Sequence, residues 1–221
     1  DSLVNTVNPG LKWKTIETDH FRIHFHKDLE GFVKKTANLA ESIHAELTTT
    51  LNWSPKSKTE LVLTDNMDFP NGAATPVPFN AIYLLITPPS RPQVFDDYDD
   101  WLKVLLTHEY AHIIHTDKAS GLPLGLRNAV GRFELLFPNL LQPTWLVEGL
   151  ATHLETDTEA GTGRGQSNLF EMMMRTEVAN GLKPISQLNL PIKSWPGGAS
   201  TYLYGVYFFQ FIEQQYGRDS L

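Results

Sequence analysis

A His-Glu-x-x-His pattern at residues 108–112 is the feature that most constrains how this chain can fold. Residues four apart lie on one face of a helix, so His108 and His112 can reach a single metal ion. They continue a stripe at helical spacing made of Trp101, Leu105, His108, His112 and His115. Burying polar histidine side chains in such a stripe costs free energy unless a metal ion or a hydrogen-bond partner binds them. The pattern therefore predicts a metal-binding helix from about Asp99 to His115.

Composition narrows the classes of ligand and partner. The 221 residues include no cysteine, so a zinc site has to use histidine and carboxylate ligands. A net charge of −7 argues against nucleic acid as the main partner. No apolar run reaches the roughly 18 residues that a membrane-spanning helix requires. A hydrophobic content of 41% is that of an ordinary globular protein with a sizeable core.

The residues before this helix predict a sheet with a helix packed on it. Alternating apolar residues indicate a half-buried strand at 20–26, and helical spacing indicates an amphipathic helix at 29–51. Two further strands are expected at 59–64 and 81–86, and the second is apolar throughout and therefore central. A cluster of four aspartates, Asp96, Asp97, Asp99 and Asp100, is expected to cap the next helix, with a calcium site as the alternative.

The second half of the chain predicts mainly helices. A short one is expected around 127–136, and longer ones at 143–155, 169–180 and 202–216. Residues 159–168 contain three glycines but no Gly-Lys-Ser/Thr sequence, which excludes a phosphate loop. They predict a mobile surface loop, with a lid over a cleft as the alternative.

A third metal ligand is expected on the helix at 143–155. Glu148 follows His112 by 36 residues, enough for one helix to end and another to return across it. A carboxylate there completes a His₂Glu site with one open position for water. Such a site lowers the pKa of the water towards about 7, and Glu109 can then take its proton. We expect His115 to pack beside the site, with ligation as the alternative.

Three segments together resemble the gluzincins, the clan of zinc peptidases that includes thermolysin and the large zinc aminopeptidases. They are His108-Glu109-x-x-His112, Trp145-x-x-Glu148-Gly149-x-Ala151 and Tyr202-Leu203-Tyr204-Gly205. The resemblance implies one Zn²⁺ per chain. It also implies that Tyr202 hydrogen-bonds the tetrahedral oxyanion, with Tyr204 as the alternative. A glutamate commonly occupies the place of Glu155 in the aminopeptidase branch.

The resemblance extends to the predicted fold and to the substrate strand. Gly72, Ala73 and Ala74 occupy the place of an edge strand along which the substrate lies as an added strand. The implied fold is zincin-like α+β and forms a single domain over residues 1–221. Its α/β lobe, about 1–120, would hold a mixed sheet and the motif helix in the cleft. Its mainly helical lobe would cover about 121–221.

The closest resemblance is to bacterial peptidase domains that often precede a β-propeller in exported proteins. It implies an exported protein, periplasmic or secreted, of which this chain is one part, with a possible additional C-terminal domain. The expected partner is a peptide or protein substrate, without nucleic acid or a membrane span.

Three positions depart from related patterns. A metzincin would have glycine and histidine where this chain has His115 and Lys118, which excludes that class. Ala74 and Thr75 stand where an aminopeptidase has its amine-binding Glu, which favours endopeptidase or oligopeptidase action. Thermolysin-like enzymes place Asp at the position of Thr152 to orient a histidine. Glu155 or Asp117 would then have to replace it.

These observations predict a zinc metallopeptidase that hydrolyses peptide bonds with a water activated by Glu109. One alternative is a zinc-binding but catalytically inactive interaction module on a peptidase fold. An inactive relative usually loses the base or a ligand, and this chain keeps both. A zinc hydrolase that acts on other substrates is the third interpretation, since motifs alone do not identify the substrate.

Overall fold

The computed structural model describes residues 8–88, 100–189 and 193–221. These residues form an α+β fold with a five-stranded mixed sheet and six α-helices, which confirms the predicted class. The chain divides into two compact units. One contains the described residues of Asp1–Arg91 and Leu105–Leu141, and the other those of Pro92–Val104 and Gln142–Leu221.

The sheet belongs to the first unit and has the strand order β1-β2-β3-β5-β4. Its strands are β1 (Trp13–Glu17), β2 (Phe21–His26), β3 (Thr59–Thr64), β4 (Asn71–Thr75) and β5 (Ala81–Leu85). The parallel strands β2, β3 and β5 form the centre, and β1 and β4 pair antiparallel at the two edges. The strands predicted at 20–26, 59–64 and 81–86 are therefore confirmed, and β5 is interior as expected.

The core of this unit follows from alternation along β2. Phe21, Ile23 and Phe25 are almost completely buried, because successive side chains of a strand point to opposite faces of the sheet. The helix α1 (Glu30–Thr50) packs on β2, as predicted. Its apolar stripe buries residues that include Val33, Ala40, Ile43 and Leu47.

The motif helix, α2, covers Trp101–Asp117. The Asp100 carboxylate accepts a hydrogen bond of 3.3 Å from the Lys103 amide, which is the geometry of an N-cap. Capping by this aspartate is thus confirmed. The predictions for Asp96, Asp97 and Asp99 lie outside the described residues.

The next helix, α3 (Gly121–Val130), begins and ends earlier than the predicted helix at 127–136, so that prediction is wrong. Gly131 has a φ of 99°, which ends the helix, and a short 3₁₀ turn follows at Glu134–Leu136. Pro123 lies in the first turn of α3, where a missing backbone N–H costs nothing.

The second unit contains α4 (Thr144–Leu154), α5 (Asn168–Asn180) and α6 (Ala199–Tyr216). These helices agree with the predictions to within three residues at each end. Of the predicted mobile surface loop at 159–168, residues 159–161 are exposed, but Arg164, Gly165 and Ser167 are buried and Arg164–Gln166 form a 3₁₀ turn. A buried arginine holds this segment in place.

Candidate metal centre

His108 and His112 lie one helical turn apart on α2 and face each other. Their Nε2 atoms are 3.1 Å apart, and their rings meet edge to face at a centroid distance of 4.6 Å. A tetrahedral zinc ion with bonds of about 2.0–2.1 Å holds two nitrogens about 3.3 Å apart. The two imidazoles therefore lie close to the separation that one ion requires.

Glu148 joins these histidines in a group that could hold a metal ion. One ligand atom from each of His108, His112 and Glu148 lies within 4.8 Å of the other two. His108 is buried, and the other two side chains are half-buried. Within the described ranges this is the one group of three or more such ligands, and His115 is not part of it. The donor set of two nitrogens and one carboxylate suits zinc and also other divalent metals.

Glu109 packs against the backbone of the edge strand β4. It is 5% exposed, and a Cβ added at Gly72 would lie 2.6 Å from the Glu109 Cδ. Only a glycine leaves room for this carboxylate. The predicted base and the predicted substrate strand, Gly72-Ala73-Ala74, are thus adjacent, and β4 lies at an edge of the sheet that the described residues form.

Glu148 and Tyr202 lie on two helices that touch through glycines. A Cβ added at Gly149 would lie 2.6 Å from the carbonyl carbon of Gly205, and one at Gly205 would lie 3.0 Å from the Gly149 amide nitrogen. The backbones of α4 and α6 are therefore in direct contact. Gly149 directly follows Glu148, and Gly205 lies one turn beyond Tyr202, so both residues lie close in sequence to this helix contact.

The two tyrosines predicted as alternatives have different surroundings. The Tyr204 hydroxyl donates to Glu177 Oε2 at 2.5 Å and accepts from the Lys183 amide at 2.9 Å. Burial and the Glu177 carboxylate raise the pKa of Tyr204 to about 12. The Tyr202 ring instead lies against a guanidinium, with Arg164 Cζ 4.6 Å from the ring centroid. Tyr204 is thus engaged in a structural hydrogen-bond network.

Arg164 is the residue at this site that the sequence analysis missed. Its Nε and Nη2 atoms donate to the two oxygens of Glu155 at 2.6 and 2.7 Å. Burial disfavours its charge, but Glu155 outweighs burial, with further contributions from Tyr202 and Glu148, so the pKa of Arg164 is raised. An arginine between two glycines, in a loop without other basic residues, was the available signal.

The remaining residues predicted beside the site have other partners. Glu155 pairs with Arg164, and Asp117 accepts a hydrogen bond from Trp53 Nε1 at 2.9 Å and forms an ion pair with Arg132 Nη2 at 3.0 Å. The backbone carbonyl of His115 accepts from Asn139 Nδ2 at 2.7 Å. Both carboxylates expected to orient a histidine thus bind a guanidinium.

No family model matches the chain, and no curated protein is significantly similar to it. Among the described helices, none combines the length and apolar character needed to cross a bilayer. The geometry and chemistry of the site are therefore the basis for its proposed function.

Proposed function

We propose that this chain is a zinc-dependent metallopeptidase that cleaves within peptides rather than only at their N-terminus. The observation that carries the proposal is the group of His108, His112 and Glu148, with Glu109 next to the first histidine in the sequence. Two histidines and one carboxylate leave a coordination position open, which is typical of catalytic rather than structural zinc.

The three side chains fit zinc because each offers a nitrogen or carboxylate oxygen, the ligands that zinc takes where cysteine is absent. When bound, zinc would act as a Lewis acid that polarises the substrate carbonyl and acidifies water. The other steps fall to side chains of the protein.

Glu109 would act as the general base and then as the general acid. Its carboxylate takes a proton from the attacking water as the carbon–oxygen bond forms. It then gives the proton to the amide nitrogen as the carbon–nitrogen bond breaks. Packing against Gly72 supports this role, because a carboxylate held by backbone has few alternative rotamers. General catalysis of this kind contributes about 10²–10⁴-fold to the rate.

The edge strand β4 would bind the substrate by strand addition. An edge strand offers backbone donors and acceptors to an extended peptide, which can pair with it independently of side chains. Gly72, Ala73 and Ala74 have small or no side chains, so a peptide can approach closely. The absence of a carboxylate at Ala74 and Thr75 removes the device that would select a free amino terminus.

Tyr202 would donate a hydrogen bond to the oxyanion that forms on the scissile carbonyl. The Tyr204 hydroxyl already donates to Glu177 and accepts from Lys183, which argues against Tyr204, the alternative donor. One hydrogen-bond donor to an oxyanion is worth about 10²–10³-fold in kcat.

Activity of the zinc-loaded protein on a mixed peptide library tests the proposal. We expect internal cleavage by the native sequence and a loss of about 10²–10⁴-fold in Glu109→Gln, with stoichiometric zinc binding retained. The amide keeps the shape of the carboxylate but cannot accept the proton. If both proteins bind zinc and neither cleaves any peptide, the chain is not a peptidase.

Zinc affinity tests the ligand assignment separately. We expect Glu148→Ala to weaken zinc binding strongly, because it removes one of three ligands. His115→Ala is the matched control, and we expect it to leave affinity nearly unchanged. Titration calorimetry with zinc measures both, and equal losses in the two variants would contradict the assignment.

A further inference from the structure

We propose that Arg164 is a positioning residue that holds the ring of Tyr202. The role of Tyr202 rests on the proposed function, but the contacts of Arg164 do not. All the groups involved belong to the second unit of the chain.

The segment that carries Arg164 is built to bring it inside. Gly163 has a φ of 90°, and a Cβ there would lie 2.5 Å from the Glu155 carbonyl oxygen. A Cβ at Gly165 would lie 2.7 Å from both Thr156 Oγ1 and Val206 Cγ2. Glycines on both sides of the arginine therefore allow the backbone to lie directly on the end of α4 and on α6.

Backbone hydrogen bonds fix the same segment. The Gly165 amide donates to Thr156 Oγ1 at 3.0 Å, and Gln210 Nε2 donates to the Gly165 carbonyl at 3.0 Å. Thr156 follows α4, and Gln210 lies on α6. The segment thus joins the end of α4 to the middle of α6, and the guanidinium lies with it.

The guanidinium has a single orientation. Both Glu155 oxygens accept from it, and the side chain of Glu155 is completely buried. A paired, planar guanidinium presents its flat face to a neighbouring group. Here that neighbour is the Tyr202 ring, whose centroid is 4.6 Å from Arg164 Cζ, within the range of a cation–π contact.

Stability alone is a weak reason to bury this pair. Well-packed apolar residues of similar volume are often as stabilising as a buried ion pair. An apolar pair could not set a cation against the Tyr202 ring, whose centroid lies 4.6 Å from Arg164 Cζ. The charge is thus held beside the proposed oxyanion donor.

Two variants distinguish a positioning role of Arg164 from a role in folding alone. Arg164→Met leaves the Glu155 carboxylate buried without its partner, so it is expected to be destabilised. The double variant Glu155→Met and Arg164→Met removes both charges and is expected to recover much of the unfolding temperature. Arg175→Met is the control, because that arginine is an exposed residue of the same unit, with a side chain that is 79% accessible.

Fluorine NMR of protein labelled with fluorotyrosine gives a readout that requires neither zinc nor activity. The chain has seven tyrosines, and Tyr202→Phe identifies the resonance of interest by its loss. We expect this resonance to move in Arg164→Met and to stay displaced in the double variant. Arg175→Met should leave it unchanged. A Tyr202 resonance at its native position in the folded double variant would overturn the proposal.

Kinetics of the zinc-loaded variants give the second readout. We expect the double variant to lose about 10- to 100-fold in kcat, because a misplaced Tyr202 forfeits part of the roughly 10²–10³-fold that one oxyanion donor is worth, with a smaller change in KM. A folded double variant with native kcat would show that Arg164 acts only in folding. If the native protein cleaves no peptide, the proposed function fails, but the fluorine resonance still decides whether Arg164 holds Tyr202.

Discussion

Gly72 is a single residue on which the position of the proposed base depends. The Glu109 carboxylate occupies the space that a side chain at position 72 would fill, since a Cβ there would lie 2.6 Å from the Glu109 Cδ. No backbone strain is involved, so the requirement for glycine comes only from this approach. The two residues are far apart in sequence, and the fold makes them neighbours.

We expect Gly72→Ala to lower kcat by about 100-fold, because a displacement of about 1 Å at a catalytic group costs on that order. Zinc affinity should change little, since neither of these residues is a proposed ligand. Steady-state kinetics and zinc titration measure the two effects. Gly31→Ala is the control, because a Cβ at Gly31 meets nothing within 4 Å. Native kcat in Gly72→Ala would show that Glu109 does not act from this position.

Among single residues, those that belong to a recognisable spacing pattern could be predicted from the sequence. The helical spacing of His108 and His112 and the separation of Glu148 indicated a set of ligands that do lie together. Arg164 could not be predicted in the same way. Its burial depends on Glu155 and on a ring contact with Tyr202, 38 residues further along the chain, and no local pattern records such contacts.

Among the elements, α4 and α6 form the most closely packed helix pair of the second unit. Their backbones touch at Gly149 and Gly205, and a Cβ at Gly205 would also collide with the carbonyl oxygen of Trp145. Such an approach is possible only where neither helix has a side chain at the contact. Gly149 and Gly205, which lie in two separate sequence segments, are therefore both required by this one helix–helix contact.

We expect Gly149→Ala and Gly205→Ala each to reduce the free energy of unfolding by at least about 1–3 kcal/mol, the usual cost of overpacking. Helix propensity alone would predict the reverse, since alanine is favoured over glycine by about 1 kcal/mol. Gly125→Ala in α3 is the matched control, because a Cβ there meets nothing within 4 Å, and it should stabilise. Denaturant unfolding measures whether each substitution raises or lowers the free energy of unfolding. A stabilised Gly149→Ala variant would contradict the close contact.

Elements with strong periodicity were predicted well, and those without it were not. The edge strand β1 was not predicted, because none of its residues is fully buried and it lacks apolar alternation. The boundary of α3 was wrong because Gly131, read as an interior residue, ends the helix. β1 is defined by its pairing with β2 and the end of α3 by the positive φ of Gly131, and the hydrophobic pattern records neither.

For the molecule as a whole, the buried histidine His44 couples stability to pH. It is 7% exposed, its ring stacks on His20 at 3.6 Å, and a hydrogen bond of 2.6 Å joins its Nδ1 to the Tyr110 hydroxyl. Burial, with repulsion from His20, lowers the pKa of His44 below its usual value of 6.5. Neutral His44 is thus the form that the fold accommodates.

We expect this residue to destabilise the fold as pH falls below 6.5. Between 6.5 and the lowered pKa the unfolded chain binds more protons than the folded chain, so unfolding becomes easier in that window. His44→Asn removes the titration while keeping a hydrogen-bond acceptor near Tyr110. The native protein should be more stable than the variant above pH 7, and the difference should narrow with acid. Urea unfolding at several pH values measures it, and a difference independent of pH would contradict the expectation.

The composition of β4 has a consequence for how the protein behaves in concentrated solution. An edge strand that accepts foreign peptide backbone is also a template for self-association into extended β-structure. The five residues Asn71–Thr75 are few, and four of them are Asn, Gly or Ala, residues with low β-propensity. Two such strands therefore gain little by pairing with each other. We therefore expect the small side chains proposed to admit a substrate to disfavour aggregation through this edge as well.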